Sequence, residues 1–232
     1  MMQVCLNGGR GPGDSAAVPM SPAAMAEAAA RAVAAGATDI HVHPRTPCGG
    51  ETLSPRVLAE TLTAIRAAVD APVGVTTGVA EEPDPVRRVE RVRAWTVLPD
   101  HASVHWHEPG AEELAVALME RGVGVEAGLR SGTQGPARFL GSPLAPRVLR
   151  ILAEVTDPDP ITTARTLLAE VGESRGRPIL LHGTDAGAWP VLRLARRLGL
   201  AARIGLEDTL FLPDGSPARD NARLVSAALA EE

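Results

Sequence analysis

The chain contains no lysine and no tyrosine, and aromatic residues make up only 2% of its 232 residues. All 23 basic residues are therefore arginine, which excludes mechanisms that need a Schiff-base lysine, a carboxylated lysine or the lysine of a P-loop. The scarcity of aromatic residues argues against a base-stacking surface. A formal net charge of −5 argues against a broad nucleic-acid footprint, so we expect no nucleic-acid partner.

Long apolar runs and cysteines are also scarce. No run approaches the roughly 20 apolar residues of a membrane span, and the first residues lack the basic and apolar regions of a signal peptide. We therefore expect no membrane association. Cys5 and Cys48 are too few for a disulfide framework, which favours a reducing, cytoplasmic compartment.

Short apolar segments alternate with amphipathic segments along the whole chain. Eight short segments bounded by glycine, proline or aspartate are predicted as buried strands. They cover residues 3–7, 38–43, 72–77, 102–107, 122–127, 148–155, 178–183 and 202–208. Helical patterns lie between them, and eight such units predict a parallel sheet with right-handed crossovers. We predict a (β/α)8 TIM barrel, with eight parallel strands in a single domain over residues 1–232; an open doubly wound sheet is the alternative.

Polar side chains accumulate at the carboxyl ends of the predicted strands, where TIM barrels carry their active sites. Five of the six histidines stand there, together with several carboxylates. In chain order the polar residues are Asn7, His41, His43, Thr76, Thr77, His105, His107, Glu126, Glu154, His182, Glu207 and Asp208. Solvent exposure explains scattered polar residues, but not histidines and carboxylates gathered at one end. This gradient, from apolar residues at the amino ends of the strands to histidines and carboxylates at their carboxyl ends, predicts an active site.

The sharpest motif is His41-Val42-His43 on the second predicted strand. Alternate strand residues point to the same face, so both imidazoles project into the barrel mouth. Two imidazoles suit a borderline metal such as zinc. Glu207 is the natural third ligand, because strand 8 adjoins strand 1 in a closed barrel and strand 2 lies one further on. A His2Glu site keeps one position open for catalysis; a hydrogen-bonded pair of loop histidines is the alternative.

A second motif of this type, His105-Trp106-His107, ends the fourth predicted strand. We expect His105 and His107 to contact a polar substrate or to support the metal ligands, rather than to bind a second metal. Trp106, between them, is expected to face the helices as a core residue.

Arg203 occupies the last predicted strand, where alternation places it on the same face as Glu207. A buried arginine is costly unless an anion pairs with it. Asp208, Glu126 or a substrate carboxylate would each serve, and a structural salt bridge is the alternative.

Four motifs together resemble the β-keto acid cleavage enzymes, the family that includes 3-keto-5-aminohexanoate cleavage enzyme. They are HVHPR at 41–45, TTG at 76–78, VEAGLRSG at 125–132 and RIGLED at 203–208. The resemblance implies a zinc-dependent TIM barrel, commonly a homo-oligomer. The implied reaction condenses a small-molecule β-keto acid with acetyl-CoA and splits the adduct into acetoacetate and the CoA ester of the shortened acid.

The resemblance also implies a catalytic centre. The implied ligands of one zinc ion per chain are His41, His43 and Glu207. Asp208 matches the base that acts on acetyl-CoA, and Arg203 matches the residue that holds and tunes that base.

Further residues match the surroundings of this centre. Glu126 matches a carboxylate that orders the metal site, and Thr76 and Thr77 match a cradle for the carboxylate of the keto acid. Asn7, at the end of the first predicted strand, is a further candidate for substrate binding.

Two other classes of protein stay open at this point. Metal-dependent hydrolases of the amidohydrolase type also use a His-x-His motif, but theirs lies on the first strand and this one lies on the second. A barrel that binds a ligand without catalysis is the other alternative.

Overall fold

The computed structural model describes residues 1–172 and 176–231, and within them eight parallel strands close into a barrel in sequential order. The predicted (β/α)8 architecture is confirmed. The strands are β1 Met2–Cys5, β2 Asp39–Val42, β3 Val73–Thr76, β4 His101–His105, β5 Gly124–Arg130, β6 Arg150–Val155, β7 Ile179–Gly183 and β8 Ala201–Ile204. The helices are α1 Pro22–Ala34, α2 Pro55–Ala68, α3 Pro85–Arg93, α4 Ala111–Glu120, α5 Gly135–Gly141, α6 Pro160–Val171, α7 Ala188–Arg197 and α8 Asn221–Ala230.

Several helices begin at a proline, whose missing N–H is harmless in the first turn. Ser21 and Asp84 precede two of these prolines, and their side-chain oxygens accept hydrogen bonds from the first free backbone N–H groups of α1 and α3. The chain therefore leaves each of these βα loops at a defined point, which fixes where the loop residues stand above the barrel.

The main apolar core lies between the barrel and its ring of helices. Trp106 is fully buried there and packs edge-to-face against Phe139 of α5, with ring centroids 5.2 Å apart. The expectation that Trp106 faces the helices is confirmed. No helix in the described part of the chain is long and apolar enough to cross a bilayer.

The last strand is shorter than predicted. β8 ends at Ile204, and a turn follows in which the N–H of Asp208 donates to the carbonyl of Gly205 (2.9 Å). Gly205 passes so close to β1 that a Cβ atom would lie 1.9 Å from the carbonyl oxygen of Cys5. Strand alternation is therefore the wrong reason for placing Glu207 beside Arg203. The turn brings the two side chains together instead.

Candidate active site

A cavity of about 500 Å³ opens at the carboxyl ends of the strands, at the end of the barrel that the sequence gradient predicts. Predicted site residues from β2, β3, β4 and β8, or from the positions just after these strands, line it. They are His41, His43, Thr76, His105, His107, Arg203 and Glu207. Residues from the loops after β2, β3 and β4 complete the wall, notably Glu51, Glu81 and Glu108.

His41, His43 and Glu207 converge in this cavity, and we call these three residues the metal cluster. Oε2 of Glu207 lies 3.5 Å from Nε2 of His43 and 4.0 Å from Nε2 of His41. These separations are longer than a hydrogen bond, and they suit ligand atoms that surround one small cation. The three side chains come from β2, the residue after it, and the turn after β8, so closure of the barrel is what unites them.

The charges around the cluster favour a cation. Burial lowers the pKa of His41 well below its ordinary value, so the ring stays neutral and keeps a lone pair for a metal. Burial also disfavours a charged His43, but the carboxylates of Glu207, Glu51 and Glu81 outweigh it and raise its pKa to about 10. Three carboxylates therefore surround one imidazole of the cluster, with Arg203 and Arg45 as the nearby positive charges.

Buried atoms without partners show that the cluster fits a metal ion. Oε2 of Glu207 and Nδ1 of His41 are both buried and lack a hydrogen-bond partner. A buried carboxylate oxygen left alone is costly, and a divalent cation would satisfy it. Two imidazoles and one carboxylate are the donor set of known catalytic zinc sites.

Arg203 links the cluster to a second carboxylate. Its guanidinium donates to Glu207 and, from Nε, to Oδ1 of Asp208 at 3.1 Å. Asp208 is fully buried, its Oδ1 lies 3.3 Å from Nδ1 of His182, and its Oδ2 has no hydrogen-bond partner. Although burial opposes it, Asp208 and Glu207 together help raise the pKa of Arg203 well above its usual range. Burial would raise the pKa of Glu207, but the Arg203 guanidinium beside it holds that pKa well below its usual range.

The two threonines that end β3 differ in position. Thr76 lines the cavity, whereas the hydroxyl of Thr77 donates to the backbone carbonyl of Ser103 at 2.6 Å and is buried. The predicted role of both in holding a carboxylate stays a prediction, and only Thr76 is placed to touch a ligand in the cavity.

Asn7 is also turned away from the cavity. Its side chain donates to the carbonyl of His43 and accepts from the N–H of His43, both at 2.9 Å. Its predicted contact with substrate stays a prediction. The observed contacts hold the backbone of a metal-cluster residue.

The side of the cavity across from the cluster carries His105 and His107, whose ring centroids lie 5.6 Å apart. Glu154 stands beside them and receives hydrogen bonds from Nε and a terminal nitrogen of Arg130, at 3.1 and 3.3 Å. Burial would raise the pKa of Glu154, but charges on His105, His182 and Arg130 hold it at about 2. Among the described residues, both possible metal-ligand groups contain His43 and neither contains His105 or His107. The predicted contact of His105 and His107 with a polar substrate stays a prediction.

Glu126 lies nearer the amino ends of the strands. Its Oε1 accepts from Nε2 of Gln3 (3.1 Å) and Nε of Arg150 (2.6 Å), and its Oε2 lies 3.2 Å from Nδ1 of His101. Gln3 and Arg150 also donate to Asp39, at 2.8 and 3.0 Å. We call these five residues the floor network. The predicted role of Glu126 in ordering the metal site stays a prediction, since its direct contacts belong to this network.

Sequence reasoning missed two carboxylates at His43. Oε1 of Glu51 lies 2.5 Å from Nδ1 of His43, and Oε1 of Glu81 lies 3.4 Å from the same nitrogen. Both residues stand in loops, where no periodicity indicates direction. The signal that was available is the Gly49-Gly50 turn just before Glu51, which folds the loop back towards β2.

Fold and site together define a TIM barrel with three side chains at its mouth that could hold one metal ion. A sequence model of the β-keto acid cleavage enzyme family matches residues 1–117 and 155–231. The chain belongs to this family. The match leaves out residues 118–154, the segment that holds Glu126 and the VEAGLRSG motif. No curated protein matches the chain.

Solved structures repeat the fold at low identity. A ternary complex of ObcA with a C4-CoA adduct and oxalate superposes with a TM-score of 0.72 at 17% identity, and an ObcA complex with oxaloacetate with 0.71 at 18%. Both alignments cover 94% of this chain and 64% of ObcA, so the chain spans less than two thirds of that protein's length. The homocysteine methyltransferase MmuM from Escherichia coli superposes with a TM-score of 0.61 at 14% identity, covering 100% of this chain and 96% of MmuM. At these identities the likeness concerns the fold.

Proposed function

We propose that the protein is a zinc-dependent β-keto acid cleavage enzyme. It would convert a β-keto acid and acetyl-CoA into acetoacetate and the CoA ester of the shortened acid. The observation that carries the proposal is the metal cluster of His41, His43 and Glu207, which stands at the mouth of a barrel that belongs to this family. The ObcA complex with a C4-CoA adduct supports a CoA ester as co-substrate.

The metal cluster would hold the zinc ion, which when bound supplies a Lewis acid for the keto oxygen of the substrate. Asp208 would take the proton from the methyl group of acetyl-CoA. Its Oδ2 is free of hydrogen-bond partners, while its Oδ1 is held by Arg203. Arg203 orients this carboxylate, as a general base requires.

The substrate would lie between the metal cluster and the opposite wall. Thr76 would donate its hydroxyl to the carboxylate of the keto acid, and His105 and His107 would contact the part of the acid that becomes the new CoA ester. Both rings line the cavity, so both are placed to contact a polar substrate.

Turnover with a panel of β-keto acids tests this proposal. We expect acetoacetate and a new acyl-CoA, detected by mass spectrometry, only when acetyl-CoA is present. His41→Ala, checked for folding by thermal unfolding, should lose the reaction. Hydrolysis that proceeds without CoA, or full turnover by His41→Ala, would contradict the proposal.

Three further expectations stay predictions. They are a homo-oligomeric state, a cytoplasmic location and the organisation of residues 1–232 as a single domain. The fold gives no reason to revise them, and sedimentation analysis of the purified chain would measure the first directly.

A further inference from the structure

A short hairpin follows β2 and carries Glu51 back to His43. Arg45 and Glu51 form an antiparallel bridge, and the N–H of Thr46 donates to the carbonyl of Gly50 at 2.8 Å. Gly49 closes the turn with a φ of +86°, a value that favours glycine. The hairpin thus fixes the position of a carboxylate eight residues beyond the histidine that it contacts.

The contact is on the side of the ring that faces away from the third ligand. Nδ1 of His43 lies 2.5 Å from Oε1 of Glu51, while Nε2 faces Oε2 of Glu207 at 3.5 Å. A neutral imidazole carries a proton on one nitrogen and a lone pair on the other. A proton held between Nδ1 and Glu51 leaves the lone pair on Nε2, the atom that belongs to the metal cluster.

The backbone of His43 is held as firmly as its ring. Asn7 bonds both the N–H and the carbonyl of His43 at 2.9 Å. Asn7 therefore fixes the backbone of His43, and Glu51 fixes its ring. We propose that Glu51 is a positioning residue that orients His43 and fixes its tautomer for metal binding. This inference rests on the proposed metal site.

A second cation is the competing explanation, because His43, Glu51 and Glu81 could also serve as ligands. Oε2 of Glu81 is buried without a hydrogen-bond partner. However, donors at about 2.0–2.2 Å from one ion lie at least about 3 Å apart. The separation of 2.5 Å between Glu51 and His43 is too short for two ligands of one ion and fits a short hydrogen bond. The observations therefore favour an outer partner of the ligand.

Zinc affinity tests the proposal without any assay of turnover. Zinc is titrated against a chromophoric chelator with the wild type, Glu51→Ala, Glu51→Gln and Glu81→Ala. Outer partners of metal-binding histidines typically contribute about 10- to 100-fold in affinity, and we expect that loss for Glu51→Ala. Glu51→Gln should lose less, because its amide oxygen still accepts from Nδ1–H.

Glu81→Ala is the matched control, since it removes a carboxylate near the same nitrogen at 3.4 Å rather than 2.5 Å. An equal loss in Glu51→Ala and Glu81→Ala would show a general charge effect and overturn the proposal. So would two zinc ions per wild-type chain with one lost in Glu51→Ala. Thermal unfolding of the metal-free variants shows whether each one folds.

Cobalt substitution gives a second readout. The visible absorption of bound Co²⁺ reports ligand geometry, and we expect it to change in Glu51→Ala although all three ligands remain. A wild type that binds neither zinc nor cobalt would overturn the metal site itself. Metal bound equally well, with the same spectrum, by the wild type and Glu51→Ala would overturn only the role of Glu51.

Discussion

The barrel encloses two buried polar layers, the floor network and the metal cluster, and their charged groups are arranged differently. In the floor network, Arg150 bonds both Asp39 and Glu126, and His101 lies within 3.2 Å of both carboxylates. Each charge there has an opposite charge beside it. In the metal cluster, by contrast, Oε2 of Glu207 faces Nε2 of His43 and of His41 across 3.5 and 4.0 Å, and all three side chains line the cavity.

The two layers are separated by very little sequence. Asp39 and His41 lie two residues apart on β2, so they point to the same face at successive levels of the barrel. The lower residue belongs to a layer of directly paired charges, and the upper one to a layer whose side chains are spaced to surround a cation. The difference teaches that buried charge alone does not mark an active site; charged and metal-binding groups spaced around an open cavity do.

The largest expected effect on stability comes from breaking the floor network. Arg150→Met leaves the carboxylates of Asp39 and Glu126 buried without their cation. Loss of one partner from a buried ion pair costs about 3–5 kcal/mol of unfolding free energy. Urea unfolding in the presence of a chelator measures this cost. A stability equal to that of the wild type would show that the floor charges do not hold the barrel.

The pH dependence of the unfolding free energy is a second test of the floor network. Burial disfavours a charged His101, but Glu126 and Asp39 outweigh it and raise its pKa from 6.5 to about 9, with Arg150 the nearby opposing charge. The raised pKa adds stability that is fully present below pH 6.5 and is lost as the pH rises through about 9, with a total on the order of 3 kcal/mol.

Unfolding free energies measured between pH 6 and 10 check this prediction. His101→Gln should start less stable than the wild type and lose less stability over that interval. Parallel curves for the two proteins would assign the alkaline loss to other groups.

A smaller effect is expected at Gly74 on β3. A Cβ atom there would lie 1.9 Å from Cε1 of His101, whose ring is held by two carboxylates and has little room to move. Overpacking of this kind typically costs about 1–3 kcal/mol. Thermal unfolding of Gly74→Ala measures it, and an unchanged midpoint would show that the ring is free to shift.

The smallest effect on stability is expected in the metal cluster. Glu207→Gln removes the charge, but the amide oxygen of glutamine can still accept from Arg203, which also keeps its bond to Asp208. We expect the metal-free protein to change by less than about 1 kcal/mol while zinc binding is lost. Urea unfolding and metal analysis of the same sample test both halves. A large loss of stability would erase the distinction between the two layers.

The fold was predictable because each βα unit has a local sequence pattern, a short apolar run followed by a capped amphipathic helix. His41 and His43 were predictable from strand alternation, and Glu207 from the closure of the barrel. Its closeness to Arg203 was predicted for a wrong reason, since β8 ends at Ile204. A tight approach to β1 ends the strand there, and such contacts between distant segments leave no periodic signal.

The remaining residues escaped prediction because their roles arise between elements. Glu51 reaches His43 through a hairpin turn, and the direction of a loop is not encoded in hydrophobic pattern. His101 begins β4, where a single histidine gives no sign of partners on three other strands. Its network becomes visible only when the barrel closes.

The most direct test of the account is the metal content of the wild-type protein, measured by mass spectrometry after purification without chelator or affinity metal. We predict about one zinc ion per chain, absent from His41→Ala and retained in Gly74→Ala. No metal in the wild type, even after zinc is added back, would contradict the central claim that the mouth of this barrel is a metal centre.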